Sequence, residues 1–322
     1  LIRLLYRCES RAKWPVVMKA LQEDSSPLVR AAAAQTLEGY ATGESIKVLA
    51  KATGDEYRLV RVRAAAALAG VPPDQLPNEH HAAVARATAE LLEMLSARPD
   101  DYASQYNLGN FYLQRGDRGR ALSAYSNSIR LRPDFVPPHV NSAFLYNADG
   151  DNEKAEASFL RAAALDPNNS TVRVNLGMLL AEMKRPAEAE RAFRRALEID
   201  PNTVAAAYNL GVMLAPDRPF ESLRWCQRAY QLQPEEGKYG YTYAFFLRQR
   251  RATDEAVQVL ADMVRRSVPY SDAYLLLGEI HLERREWDAA ADTYRSACNN
   301  ANLRPGEREN FRMILRRLEQ RL

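Results

Sequence analysis

One asparagine sets the frame of this chain. Asn107, in Tyr106-Asn107-Leu108-Gly109, is followed at steps of 34 residues by Asn141, Asn175 and Asn209. Its neighbours keep the same step. Gly109 returns as Ala143, Gly177 and Gly211, and Tyr112 as Tyr146, Leu180 and Leu214. Ala121 returns as Ala155 and Ala189, Tyr125 as Phe159 and Phe193, and Pro133 as Pro167 and Pro201. A fixed period of this length means that one small supersecondary unit is copied and stacked, each copy burying its apolar side against the next.

The period and pattern resemble the tetratricopeptide repeat, two antiparallel helices per unit. The resemblance implies an all-α, right-handed α-solenoid. Full repeats open near residues 102, 136, 170, 204, 237 and 271, so that 102–303 holds six. The fourth is one residue short at Ala215-Pro216-Asp217-Arg218-Pro219 but keeps Cys226, Ala229 and Pro234 in its second helix. The fifth is marked by Ala244, Leu247, Ala256 and Leu260, the sixth by Leu277, Gly278, Ala290, Tyr294 and Ala297. The small residue at position eight lets the two helices of a unit meet, received by the alanine at twenty, with the aromatic at twenty-four beside them. Position four departs from the family's usual Trp, holding Gln105, His139, Arg173, Ala207, Gly240 and Tyr274, which is expected to loosen packing between units. Residues 304–322 read as a capping helix, Phe311, Ile314, Leu315 and Leu318 on one side and Arg308, Arg312, Arg316 and Arg317 on the other.

Residues 1–70 follow a second, shorter period. Asp24, Pro27-Leu28-Val29-Arg30, Ala33, Leu37 and Gly39 match Asp55, Arg58-Leu59-Val60-Arg61, Ala64, Leu68 and Gly70. The alanine runs favour helix and close helix approach, and Gly39 and Gly70 read as C-terminal caps. This part resembles HEAT-type repeats. In that family the Asp and Arg form a ladder between stacked units, which makes Asp24, Arg30, Asp55 and Arg61 structural. Leu1 to Cys8 reads as the end of a further helix of this kind. Residues 71–101 join the two parts. Pro72, Pro73 and Pro77 stop the helix, and helical spacing resumes over Glu79 to Arg98. There Ala87, Leu91 and Met94 are placed to shield the first full repeat.

The composition narrows the functional classes. Forty-four basic against 41 acidic side chains leave a net charge of +3, which argues against a nucleic-acid binder built on a basic face. No apolar run approaches the roughly 20 residues of a membrane span. The chain opens on Leu1 without an initiator Met and reads as a piece of a longer protein. Cys8, Cys226 and Cys298 form no C-x-x-C pair, and His80-His81 has no third ligand near in sequence, so neither a metal site nor a cofactor is expected. His139 and His281 stand apart, and there is no phosphate-cradling glycine loop, no G-x-S-x-G and no H-E-x-x-H, so catalysis in this chain is not expected.

A binding surface remains. In tetratricopeptide arrays the first helix of each unit lines the concave side, and the resemblance places positions two, five, six, nine and twelve there. Position six is the row Asn107, Asn141, Asn175 and Asn209. Position five reads Tyr106, Val140, Val174, Tyr208 and Tyr241, and position nine reads Asn110, Phe144, Met178, Val212 and Phe245. An amide offers the donor and acceptor that a peptide backbone needs, while apolar walls take side chains. Packed helices lie roughly 8–10 Å apart and an extended chain advances about 3.3 Å per residue, so each asparagine would meet about every third residue. A similar row grips peptide backbone in the repeat domain of O-linked N-acetylglucosamine transferases. The two-carboxylate clamp of chaperone-binding repeats wants Lys at position five of the first unit, where Tyr106 stands. Later Lys and Arg places hold Thr171 and Asn175, against a C-terminal carboxylate ligand. The asparagines also admit a plainer reading, as ties between neighbouring helices.

The resulting expectation is a protein-interaction scaffold that binds an extended peptide or partner segment, without nucleic acid and without membrane insertion. The alternative is a docking arm. HEAT-like units running through a Pro-Pro linker into tetratricopeptide units also resemble the C-terminal half of certain bacterial multihaem c-type cytochrome proteins. That resemblance implies C-x-x-C-H haem motifs upstream and a periplasmic rather than cytoplasmic setting.

Overall fold

The computed structural model describes residues 12–320. Leu1 to Cys8, with the helix end expected there, lies outside the described residues. The described chain forms eighteen α-helices and two short 3₁₀ turns, and it divides into two compact units at Leu165/Asp166.

The N-terminal unit opens with two HEAT-type pairs, α1 (Lys13–Glu23) with α2 (Pro27–Thr36) and α3 (Gly43–Ala52) with α4 (Arg58–Ala67). Their apolar faces share one core containing Val17, Leu21, Leu37, Ile46, Leu49, Val60 and Leu68. The arginine ladder runs along the pairs. Arg30 grips Asp55 with two parallel bonds, Nε to Oδ2 at 2.8 Å and Nη2 to Oδ1 at 3.0 Å. Arg61, one period on, donates from Nε to Glu90 at 3.0 Å. Each arginine also satisfies two backbone carbonyls of its own loop, those of Asp24 and Ser25 or of Asp55 and Glu56. Asp24 itself takes the backbone N–H of Ser26 at 2.9 Å, closing a turn. Gly39 adopts the left-handed conformation expected of a cap, at φ +80°. Gly70 does not. A Cβ there would make only ordinary contact, 3.5 Å from the Gln114 carbonyl oxygen.

The prolines break the helix without breaking the core. Residues 73–75 and 78–80 form the 3₁₀ turns, and α5 begins at His81, two residues later than the spacing predicts, running to Ser96. Val62, Ala65 and Ala69 pack with Ala87, Leu91 and Leu95 of α5 and with Phe111 of α6 (Tyr102–Gln114) in a single cluster. Leu95 takes the place expected for Met94, which is 41% exposed. A helix turns about 100° per residue, so the 87–91–95 spacing keeps one face inward and Met94 falls off it. Through Glu90, α5 therefore ends the HEAT ladder while its apolar face covers the first tetratricopeptide repeat. That repeat and the next complete the unit: α6 with α7 (Arg118–Leu131), and α8 (Val136–Ala148) with α9 (Asn152–Leu165).

The C-terminal unit holds four more pairs and a cap. They are α10 (Ser170–Glu182) with α11 (Pro186–Ile199), α12 (Val204–Leu214) with α13 (Pro219–Leu232), α14 (Gly237–Gln249) with α15 (Thr253–Arg265), and α16 (Ser271–Glu283) with α17 (Trp287–Asn299). All six first helices open at the residues the sequence frame assigns. The capping helix α18 (Pro305–Glu319) buries Phe311 and Leu318 in a cluster with Tyr274 and Tyr294. Arg312, Arg316 and Arg317 are exposed, whereas Arg308 is half-buried with Nε shut off from solvent.

Position eight works more directly than the alanine at twenty. A Cβ on Gly109 would stand 2.4 Å from the Tyr125 ring, and one on Gly177 2.7 Å from Phe193. On Gly278 it would be 2.3 Å from Tyr294, and on Gly211 2.6 Å from Cys226 Sγ. The residue at twenty-four thus packs directly against bare backbone. Position four is not loose either. Gln105 and His139 are 6% and 7% exposed, Ala207 and Tyr274 are fully enclosed, and His139 Nε2 lies 3.1 Å from the Pro133 carbonyl oxygen.

Candidate binding surface on the first helices

In the N-terminal unit the asparagine row meets a ring of tyrosines. Asn141 Nδ2 donates to Asn110 Oδ1 at 3.0 Å and to the Tyr125 hydroxyl oxygen at 3.2 Å, with the Tyr106 hydroxyl at 3.4 Å. The Tyr125 hydroxyl in turn donates to Asn110 Oδ1 at 2.8 Å. The network turns the Asn141 nitrogen inward. Burial pushes the Tyr125 hydroxyl up to about 12, partly offset by the bond from Asn141, so it stays a donor throughout the physiological range. Asn107 is exposed, and its side chain makes no hydrogen bond among the described residues. Phe135 stands edge-on to Tyr102 at 4.9 Å and to Tyr106 at 5.3 Å, extending the aromatic wall. Phe144 is 49% exposed while its ring edge rests on Phe159.

The C-terminal unit carries the rest. Asn175 is half-buried and makes no side-chain hydrogen bond among the described residues. Asn209 Nδ2 folds back to the Ala205 carbonyl oxygen at 2.8 Å, a bond within its own helix. In repeat five the row ends in Thr242, whose hydroxyl is 3.5 Å from that of Tyr208. The four asparagines are therefore not equivalent. Asn141 and Asn209 are engaged inside the protein, and Asn107 and Asn175 are free to bond elsewhere. Val174, expected on the surface, is only 4% exposed and belongs to the core, because the first helix of repeat three buries Val172, Val174 and Leu176 together. Met178 and Phe245 remain exposed, as does Val212 between them. Tyr241 lies 6.1 Å from Phe245 and 5.4 Å from Tyr270, and Tyr208 lies 5.0 Å from Tyr239.

Sequence reasoning missed Tyr102, Phe135, Tyr239 and Tyr270. Phe135 and Tyr270 each directly precede a first helix, outside the positions the family frame marks. Their aromatic character beside Val136 and Ser271 was the available signal.

Among the described residues no group of three or more His, Cys, Asp or Glu is placed to hold a metal. Cys226 and Cys298 are buried, and burial pushes the Cys226 thiol up to about 12, far from a nucleophilic thiolate. His81 touches the Leu76 carbonyl oxygen at 3.1 Å and His281 pairs with Glu286 at 2.6 Å. No helix among the described residues is long and apolar enough to cross a membrane. What the surface offers is free amides, ring faces and exposed apolar side chains.

Family comparisons agree with this architecture. Tetratricopeptide-repeat models match residues 102–135, 146–211 and 246–305, and a HEAT-repeats model matches residues 14–106. Among solved structures, PilF of Pseudomonas aeruginosa is 20% identical, covering 67% of this chain and 99% of its own, with a TM-score of 0.52. YrrB, described as a TPR protein with an unusual peptide-binding site, is 22% identical over 56% of this chain and 94% of its own, with a TM-score of 0.45. MamA from Desulfovibrio magneticus RS-1 is 21% identical over 51% of this chain and 93% of its own, also at 0.45. No curated protein matches the sequence. At such identities the likeness to PilF is one of fold. By its repeats and its helical pairs, the chain belongs to the tetratricopeptide-repeat family, with HEAT repeats ahead of the tetratricopeptide array.

Proposed function

We propose that this chain is a protein-interaction scaffold whose first-helix faces hold an extended segment of a partner polypeptide. One observation carries the reading. Position nine is exposed and apolar in four consecutive repeats: Phe144 at 49%, Met178 at 43%, Val212 at 39% and Phe245 at 37%. Exposed apolar residues scattered singly are ordinary. The same position of successive repeats is not scatter. Fully burying one such side chain is worth about 1.5–3 kcal/mol, so covering the half left exposed on several of them supplies useful affinity. Asn175 stands one turn before Met178 on α10 and Asn107 lies on α6, both with amides unengaged among the described residues and matched to backbone N–H and C=O.

The surface fits a segment's interior better than its carboxyl terminus. Positions that would clamp a terminal carboxylate hold Tyr106, Thr171 and Asn175, none of them cationic. To test the reading, a panel of fluorescein-labelled peptides is titrated by fluorescence polarisation against wild type and an Asn107→Ala/Asn175→Ala double variant. Each lost hydrogen bond is worth about 0.5–1.5 kcal/mol, so affinity falls across many sequences while the melting temperature stays put. Asn141→Ala behaves differently, melting earlier because the bonds its amide donates to Asn110 and Tyr125 are lost. Equal affinities of wild type and double variant would remove the asparagines from the site, and a panel in which nothing binds would overturn the reading.

A further inference from the structure

The far end of the C-terminal unit differs from the rest of its first-helix face. Along α10 and α12 the exposed side chains at positions five, six and nine are uncharged. At α14 and α16 the tyrosines gather round a carboxylate. Tyr241 and Tyr270 have ring centroids 5.4 Å apart at a 43° tilt, and Phe245 lies beyond Tyr241. Asp272, on the first turn of α16, is exposed and makes no ion pair among the described residues. Its charge reaches both rings. Burial first, and Asp272 second, raise the hydroxyls of Tyr241 and of Tyr270 above the ordinary tyrosine value. Asp272 also lines a pocket of about 380 Å³ between α16 and α18, walled by Leu275, Phe311, Met313 and Ile314.

Other charges lie nearby. Glu279 holds Arg248 at 3.4 Å, and Arg248 also reaches Glu283. Glu307 accepts from the Arg304 backbone N–H and the Ser271 hydroxyl, both at 2.8 Å. Lys238 Nζ stands over the Tyr239 ring at 4.9 Å and the Tyr208 ring at 5.8 Å. Arg317 shares the pocket wall, and Glu236 is exposed. Asp272 is the carboxylate without an ion pair, among the described residues, that acts on both tyrosines.

We infer that Tyr241, Tyr270 and Asp272 form a subsite for an arginine side chain of the bound segment, with the α16–α18 pocket taking a neighbouring apolar side chain. The inference rests on the peptide-binding reading above. Charge complementarity and shape both select the occupant. A planar guanidinium stacks on an aromatic face and meets a carboxylate with two parallel bonds, which a lysine ammonium does not. The pocket is large enough for a leucine or methionine side chain, with Leu275, Phe311, Met313 and Ile314 as its apolar lining beside polar residues that include Arg317.

The probe is a short labelled alanine–serine peptide carrying one Arg-Leu pair, compared with the same peptide carrying citrulline, which keeps the arginine shape without its charge. Wild type binds the arginine peptide about five- to tenfold more tightly, the range of a cation–π contact joined to a partly exposed ion pair. Asp272→Asn abolishes the difference and Asp272→Glu retains it, with melting temperatures showing that both variants fold. The Asn107→Ala/Asn175→Ala variant weakens both peptides and keeps the difference. Equal binding of the two peptides to wild type, both weakened by the asparagine double variant, overturns the subsite and spares the scaffold reading. Binding of neither peptide, together with a failed panel, overturns both.

Discussion

At the scale of the residue, the account turns on groups whose surroundings leave no freedom. Gly177 is one. Even a bare Cβ would sit 2.7 Å from the Phe193 ring, so Gly177→Leu must push the two helices of its repeat apart. The expected destabilisation is roughly 1–3 kcal/mol, read as a lower melting temperature, and an unchanged melt would contradict the register of repeat three. His139 is another. Burial holds its imidazole below the ordinary value of 6.5, outweighing the pull of the Pro133 carbonyl in the other direction. The folded pKa lies below the unfolded one, so the unfolded chain takes the proton first as pH falls. The stability His139 permits is therefore full above about pH 6.5 and declines below it, down to its folded value. Melting temperatures measured from pH 7.5 to 5.5 fall in wild type and fall less in His139→Gln. An identical slope in both would contradict the buried, neutral histidine.

At the scale of the element, the turns between paired helices repeat as faithfully as the helices. Gly116 and Gly150 close the first two at φ +74° and +80°, and Lys184, Arg251 and Arg285 occupy the same place later at +57°, +63° and +59°. Repeat four, one residue short, has no such residue. The left-handed region costs a non-glycine residue about 1–2 kcal/mol, partly recovered because glycine loses more entropy on folding. Arg285→Gly accordingly raises the melting temperature, by about 0.5–1 kcal/mol of stability, and a lower melt would mean that the arginine side chain does more than the turn reveals. The helices themselves were legible in the sequence because their starts are marked by what physics needs there. Pro27, Pro186, Pro219 and Pro305 sit in first turns, and Asp101, Asp117 and Asn169 cap with their side chains. Helix α5 was legible only in part. Its 87–91–95 face and the bond from Arg61 to Glu90 depend on what packs against it, and no local signal in 79–98 tells Met94 from Leu95.

At the scale of the whole molecule, the repeats were readable because a stacked unit must place the same residue types at the same contacts each time. The binding surface was readable in its rows and not in its chemistry. Position six has asparagine four times, yet whether an amide is free depends on neighbours outside the row: Tyr125 and Asn110 for Asn141, the Ala205 carbonyl for Asn209. Val174 turned out buried for the same kind of reason, its helix being apolar on more than one face. The proline linker marked a change of repeat type without marking an edge of compactness, since α4, α5 and α6 share one core and the chain divides into its two compact units at Leu165/Asp166, within the tetratricopeptide repeats.

The exposed part of the apolar row is proposed to bind a partner segment and to add little to the fold. This is tested most directly with Met178→Ser/Val212→Ser, two side chains that are 43% and 39% exposed in the free protein. The measurement is the affinity of the tightest peptide of the panel for wild type and variant, by fluorescence polarisation, beside the melt of each without ligand. The account predicts a melt altered by no more than about 0.5 kcal/mol and a loss of affinity of about tenfold, two partly covered side chains at roughly 0.8 kcal/mol for each CH₂ newly buried. An unaltered affinity, or an early melt of the free variant, would contradict it.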